Sequence, residues 1–166
     1  MRETSLADKP GEWVLLAYRV PREPSTPRIA IWRKLKQYGV AQLGDGLVGL
    51  PADARTREQL EWVGQDVVAA GGTAGVWLAR PTTIAAEQSL AAQMTAARVA
   101  EYARIAADAD AAGHLAGADS KASVRRLRAE LRRVTRRDFF APPQRDVAQA
   151  AVNALAGEAS AALGPS

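Results

Sequence analysis

Cysteine is absent from this 166-residue chain, and its absence removes two kinds of structure at once. No disulfide can hold the fold, and no thiolate can bind a metal or attack a substrate. A cytoplasmic location fits that composition. Histidine is nearly absent too. His114, the single one, lies between Gly113 and Gly117 with no carboxylates clustered about it, which points to a surface role rather than to metal binding or catalysis. No stretch of 18 uninterrupted apolar residues occurs, so no membrane span is expected. The N-terminus, MRETSLADKPGEW, lacks an apolar segment and does not read as a signal peptide. There is no P-loop, dinucleotide fingerprint, G-x-S-x-G or paired-carboxylate motif. Nothing therefore implies a cofactor, and an enzyme is not expected.

Acidic residues are scarce in two segments. The net charge is +4, with a pI near 9.8. Residues 121–137 carry Lys121, Arg125, Arg126, Arg128, Arg132, Arg133, Arg136 and Arg137 against one acid, Glu130. Residues 17–36 carry Arg19, Arg22, Arg28, Arg33, Lys34 and Lys36 against Glu23. Charge of one sign, concentrated this way, suits a phosphate backbone or another oxyanion.

The apolar pattern gives an element order. Residues 1–11 read as a frayed tail. Residues 12–20 form a strand, nearly continuous in apolar residues as expected when both faces are covered. Pro21, Pro24 and Pro27 interrupt regular structure. Pro27 suits the first turn of a helix with Thr26 as N-cap, ending at Gly39. Ile29, Ile31, Trp32, Leu35 and Tyr38 are assigned to its core face. Short strands at 40–43 and 47–50 flank Gly44-Asp45-Gly46, a hairpin signal in which Asp45 serves the turn. A helix at 53–70 buries Leu60, Val63 and Val67 and stops at Gly71-Gly72. A fourth strand spans 73–79.

This β-α-β-β-α-β order predicts an α+β, ferredoxin-like domain over 12–81, with a four-stranded antiparallel sheet and both helices on one face. Residues 82–166 form a helical region expected to pack partly on that domain. Its first helix, 82–112, has a drifting stripe: Leu90, Met94 and Ala97, then Tyr102, Ile105 and Ala106. Either it kinks or it meets two partners. A basic helix covers 120–137, with Val124, Leu127, Leu131 and Val134 as a narrow apolar seam. A last, Ala-rich helix runs from 144 to about 163.

Trp13, Leu15, Val20-Pro21, Arg28, Trp32-Arg33-Lys34-Leu35, Gly39, Asp45-Gly46 and Leu50-Pro51, with the later Arg136-Arg137-Asp138-Phe139-Phe140, resemble the N-terminal domain of the chromate resistance protein ChrB. The resemblance implies a regulator of chromate efflux that responds to chromate, and kinship with the ferredoxin-like core of PaaX-type repressors. Full ChrB proteins carry a further C-terminal domain. Chemistry that needs that half would be missing from residues 1–166. The family often has Arg before Asp-Gly, where Gly44 stands here. Small CRISPR-associated nucleases share the ferredoxin-like core and place a metal-binding Asp at the end of the first strand. Arg19 occupies that place, so a nuclease is not supported.

Two sites follow as expectations. The nucleic-acid surface comprises Arg125, Arg126, Arg128, Arg132, Arg133, Arg136 and Arg137; a solvated or salt-bridged face is the alternative. The oxyanion site comprises Arg19, Arg22, Arg28, Arg33 and Lys34, against a reading as ordinary surface charge. Trp13 and Trp77 are assigned to the core along with Trp32. Trp62 lies opposite Leu60, Val63 and Val67, so a helix of the same chain, a second subunit, a ligand or solvent must meet it. The expected function is a DNA-binding, ChrB-like regulator, a homodimer, with the sensing of chromate or a similar oxyanion as a further expectation. The alternative is a non-enzymatic interaction or dimerisation module acting on another regulator.

Overall fold

The computed structural model describes residues 9–115 and 117–161, without the side chains of Gly117 and Ala118. Most of the expected tail, 1–11, and the last residues of the final expected helix lie outside that range. The chain is α+β. The elements are β1 (Trp13–Arg19), α1 (Ser25–Tyr38), β2 (Ala41–Gly44), β3 (Leu47–Pro51), α2 (Ala54–Ala69), β4 (Thr73–Ala79), α3 (Ile84–Ala112), α4 (Gly117–Arg136) and α5 (Gln144–Ala161). They fall into two compact units that divide between Met94 and Thr95, inside α3.

In the first unit β1 is central. It pairs antiparallel with β3 on one side and with β4 on the other, giving the order β2-β3-β1-β4. β3 thus separates β1 from β2, and β1 separates β3 from β4. Val14, Leu16, Val48 and Leu50 are buried, as are Ile31 and Leu35 of α1 and Leu60, Val63 and Val67 of α2. Each such side chain contributes about 1.5–3 kcal/mol of apolar burial. α2 approaches the sheet closely at Gly64, where an added Cβ would touch Leu16 and Ala74. On the other side of the strand Trp13 is also buried, and its Nε1 donates to Glu87 Oε1 at 3.0 Å.

The helix ends follow local chemistry. Asp53 caps α2 through a reciprocal box: Thr56 N donates to Asp53 Oδ1, and Asp53 N donates to Thr56 Oγ1. Gly72 N bonds Val67 O and Gly71 N bonds Val68 O, with Gly71 at φ 82°, which closes the helix by a left-handed turn. The N-cap assigned to Thr26 is corrected. α1 starts two residues earlier, with Pro24 as cap and no side-chain cap bond. Pro27 still sits in the first turn, where backbone N–H groups have no helical acceptor in any case.

The face assigned to α1 is corrected too. Ile31 and Leu35 are buried, but Ile29 is exposed and Trp32 is 53% exposed. At about 100° per residue, Ile31 and Leu35 form one stripe. Ile29 and Trp32 lie well off it and beside each other. Trp77, assigned to the core, is 63% exposed, because β4 is an edge strand.

The second unit packs the C-terminal part of α3 with α4 and α5. Its core contains Tyr102, Ile105, Ala109, Val124, Leu127, Leu131, Val134, Ala148, Val152 and Leu155. The expected seam of the basic helix is buried at all four positions. The drift along α3 has its explanation in the two units: Met94 is buried in the first, whereas Tyr102 and Ile105 belong to the core of the second.

A test of the hairpin compares two glycines. At Gly46 φ is 69° and an added Cβ would lie 2.3 Å from Tyr18 O, whereas at Gly44 nothing lies within 4 Å. Gly46→Ala should lower the unfolding free energy by at least about 1 kcal/mol, the cost of a left-handed non-glycine residue before the clash is added. Gly44→Ala should be near neutral. Denaturant unfolding of both variants checks this.

Candidate functional site

Charge and aromatic surface meet where β1 leaves the sheet. Tyr18, Arg19, Val20 and Arg22 from the end of β1 and the following loop, Arg28, Ile29, Trp32 and Arg33 from α1, and Gln42, Asp45 and Gly46 from the hairpin line an open concavity of about 810 Å³. Its floor is set by backbone. Tyr18 N donates to Gly46 O at 2.8 Å, which draws the hairpin tip against the end of β1. The off-stripe residues of α1, Ile29 and Trp32, are the ones that face this space. Lys36 Nζ lies 4.5 Å from the centroid of the Trp32 ring, a cation–π contact. Partial burial raises the Tyr18 pKa from 10.0, so its phenol is neutral at ordinary pH.

Four of the five expected oxyanion residues, Arg19, Arg22, Arg28 and Arg33, line this one concavity. Among the described residues none of the four has an ion-pair partner. One acid, Asp45, shares the space with them. The first turn of α1 carries no acid and no side-chain cap, so its positive dipole end is not neutralised locally. Lys34 is turned elsewhere. Its ammonium donates to Asp66 of α2 at 2.6 Å, and that hydrogen bond raises its pKa from 10.5 against the opposing effect of burial. Sequence reasoning missed Tyr18 and Trp32 as lining residues. The available signal was the angular offset of Ile29 and Trp32 from Ile31 and Leu35.

The second unit sorts its arginines into two groups. Arg125, Arg128, Arg132 and Arg133 are exposed on α4, away from the seam, with no ion pair among the described residues. Arg136 is exposed and engaged in a further interaction. Arg126 pairs with Asp108 at 3.5 Å and Glu130 at 3.8 Å. Arg137 turns inward to Glu101, which also holds Arg98 Nε at 2.8 Å. Arg98 is only 8% exposed; burial lowers its pKa, and Glu101 opposes that shift. Beside this cluster the Tyr102 hydroxyl donates to Asp138 Oδ2 at 2.8 Å, and Asp138 Oδ1 accepts from Phe140 N and Ala141 N. Arg137 and Asp138 therefore fix the turn after α4. They do not present a surface. Trp62 stands on the outer side of α2, 47% exposed, and His114 is exposed after α3. Among the described residues no group of acids and histidines is arranged to hold a metal ion, and no helix is long and apolar enough to cross a membrane.

The buried phenol has a pH signature. Burial, first among the causes, raises the Tyr102 pKa from 10.0, so the folded state holds this proton more tightly than the unfolded state does. Its contribution is complete below pH 10.0 and is lost as pH rises through the folded value. Tyr102→Phe should cost about 1–2 kcal/mol at neutral pH through removal of the bond to Asp138. It should also show a shallower fall in stability at alkaline pH than the parent. Urea melts across the alkaline range would detect both.

Comparison with curated proteins and with solved structures finds no match. The family model described as "Protein ChrB, N-terminal" matches residues 28–161, from the second turn of α1 to the end of α5, leaving Trp13, Leu15 and Val20-Pro21 outside. With the concavity-lining Arg28, Trp32, Arg33 and Asp45-Gly46 and the inward-locking Arg137-Asp138 all inside that span, the chain belongs to the ChrB N-terminal family, which is associated with chromate resistance.

Proposed function

We propose that this chain is an oxyanion-responsive DNA-binding regulator of chromate resistance, built on a ferredoxin-like core. The observation that carries the reading is the concavity where Arg19, Arg22, Arg28 and Arg33 converge with no ion-pair partner among the described residues. Unpaired guanidinium groups in one concave surface are strong donors to tetrahedral oxyanions. Separately, Arg125, Arg128, Arg132 and Arg133 supply an exposed cationic face on α4 for phosphates. The ferredoxin-like assignment rests on the strand order, in which each β-α-β unit is split by a strand of the other. Catalysis is no part of the proposal: Arg19 ends β1, and a cation there repels a divalent metal.

The test is binding to the chain's own upstream DNA at two salt concentrations, with and without chromate. Replacing Arg125, Arg128, Arg132 and Arg133 by Gln spares the buried seam. It should weaken binding and flatten the salt slope by up to about 0.9 log unit for each phosphate no longer neutralised. Arg28→Gln with Arg33→Gln should leave a chromate-insensitive protein that still binds. Unchanged affinity and salt slope in the α4 variant would remove the DNA reading.

A second reading, self-association, is favoured by the edge of β4, which no further strand pairs among the described residues. The opposite edge is blocked, since Gln42 N donates to Gln93 Oε1 and Gln42 O accepts from Gln93 Nε2. β4 ends the sheet, and its seven residues, TAGVWLA, carry no charge. An antiparallel pair centred on Val76 would set Gly75 against Trp77 and Ala74 against Leu78 of a second copy, small against large. Exposed Val68 lies beside Ala74, Gly75 and Val76 and extends this apolar edge toward α2. Leu78→Lys should leave a monomer by light scattering if this edge joins two copies. An unaltered dimer in that variant would place the interface elsewhere.

A further inference from the structure

We propose that the preferred ligand of the concavity is a nucleoside phosphate: phosphate on the guanidinium groups, base on Trp32. This rests on the anion-site reading above and specifies what the anion carries. A bare tetrahedral oxyanion would occupy only the arginine-lined part of a space of about 810 Å³, a volume within the range of clefts that enclose small organic ligands. Beyond the arginines the lining has an aromatic and apolar part, Tyr18, Val20, Ile29 and Trp32, and a polar part at the hairpin, Gln42, Asp45 and Gly46.

Trp32 is the informative residue. It is half exposed on a helix whose burial stripe excludes it, so packing does not explain an indole there. Lys36 lies over the ring, and the ring also borders the concavity. A nucleobase stacks on such a surface whatever its sequence, and arginines beside it meet the attached phosphate. The same chemistry is presented by a free nucleotide and by an unpaired nucleotide within a strand.

Calorimetry of the full chain distinguishes these ligands, using sulfate, adenosine, adenosine monophosphate and a short single-stranded oligonucleotide as probes. The monophosphate should bind at least about tenfold more tightly than sulfate, the gain expected from one stacked base. Trp32→Leu should erase that gain and leave sulfate binding unchanged. Arg28→Gln with Arg33→Gln should weaken both anions. A much tighter, steeply salt-dependent oligonucleotide identifies a strand as the source; equal affinity identifies the free nucleotide. Equal binding of sulfate and monophosphate, insensitive to Trp32→Leu, overturns this inference while leaving the anion site standing. Failure of every anion to bind overturns both.

Discussion

The approach of two backbones, Tyr18 against Gly46, sets the geometry on which the first unit depends. The 2.8 Å bond from Tyr18 N to Gly46 O extends the β1–β3 ladder by one step beyond Ala17 and Leu47. It leaves no room for a side chain at position 46. A residue with a Cβ there would have to lift the hairpin tip from the strand end. Because the tip stays down, Asp45 and Gly46 form a wall of the concavity, and Tyr18 and Arg19 another. A glycine required for turn geometry thereby becomes a requirement of the site.

α1 reconciles two demands within 14 residues. One stripe, Ile31 and Leu35, is buried and holds the helix against α2. The adjacent stripe keeps Ile29 and Trp32 at the surface, where each forgoes part of the burial free energy available to it. Lys36 over the indole offsets some of that loss for Trp32. A helix whose only task was to cover a sheet would carry polar residues at those positions. The exposed apolar pair next to unpaired arginines is the local inconsistency expected of a functional site.

What is legible in the sequence has a local cause. The strand order follows from apolar runs broken by glycine and proline. The seam Val124-Leu127-Leu131-Val134 follows from helical period, and the hairpin from Gly-Asp-Gly. The misreadings also share a cause. Trp32 and Trp77 read as core residues because they are large and apolar, but burial depends on which edge or stripe a residue occupies. Among the arginines of residues 121–137, spacing cannot separate Arg132, which faces outward from α4, from Arg137, which follows α4 and turns in. The acid that claims Arg137 is Glu101, 36 residues earlier.

That long-range pairing changes what the Arg136-Arg137-Asp138-Phe139-Phe140 segment contributes. As a run of charge beside a basic helix it resembles an extension of an anion-binding face. In the structure Arg137 shares Glu101 with the buried Arg98, and Asp138 takes the Tyr102 hydroxyl together with two backbone N–H groups of the turn. Two guanidinium groups share one carboxylate, with Asp138 as a second, more distant acid acting on Arg98, so loss of Glu101 would leave part-buried positive charge poorly compensated. The segment therefore acts on the surface indirectly. By tying the end of α4 to α3 it adds to the buried Val124–Val134 seam, whose burial leaves Arg125, Arg128, Arg132 and Arg133 outward. Motif residues that carry the family resemblance thus include some that support a charged face without belonging to it.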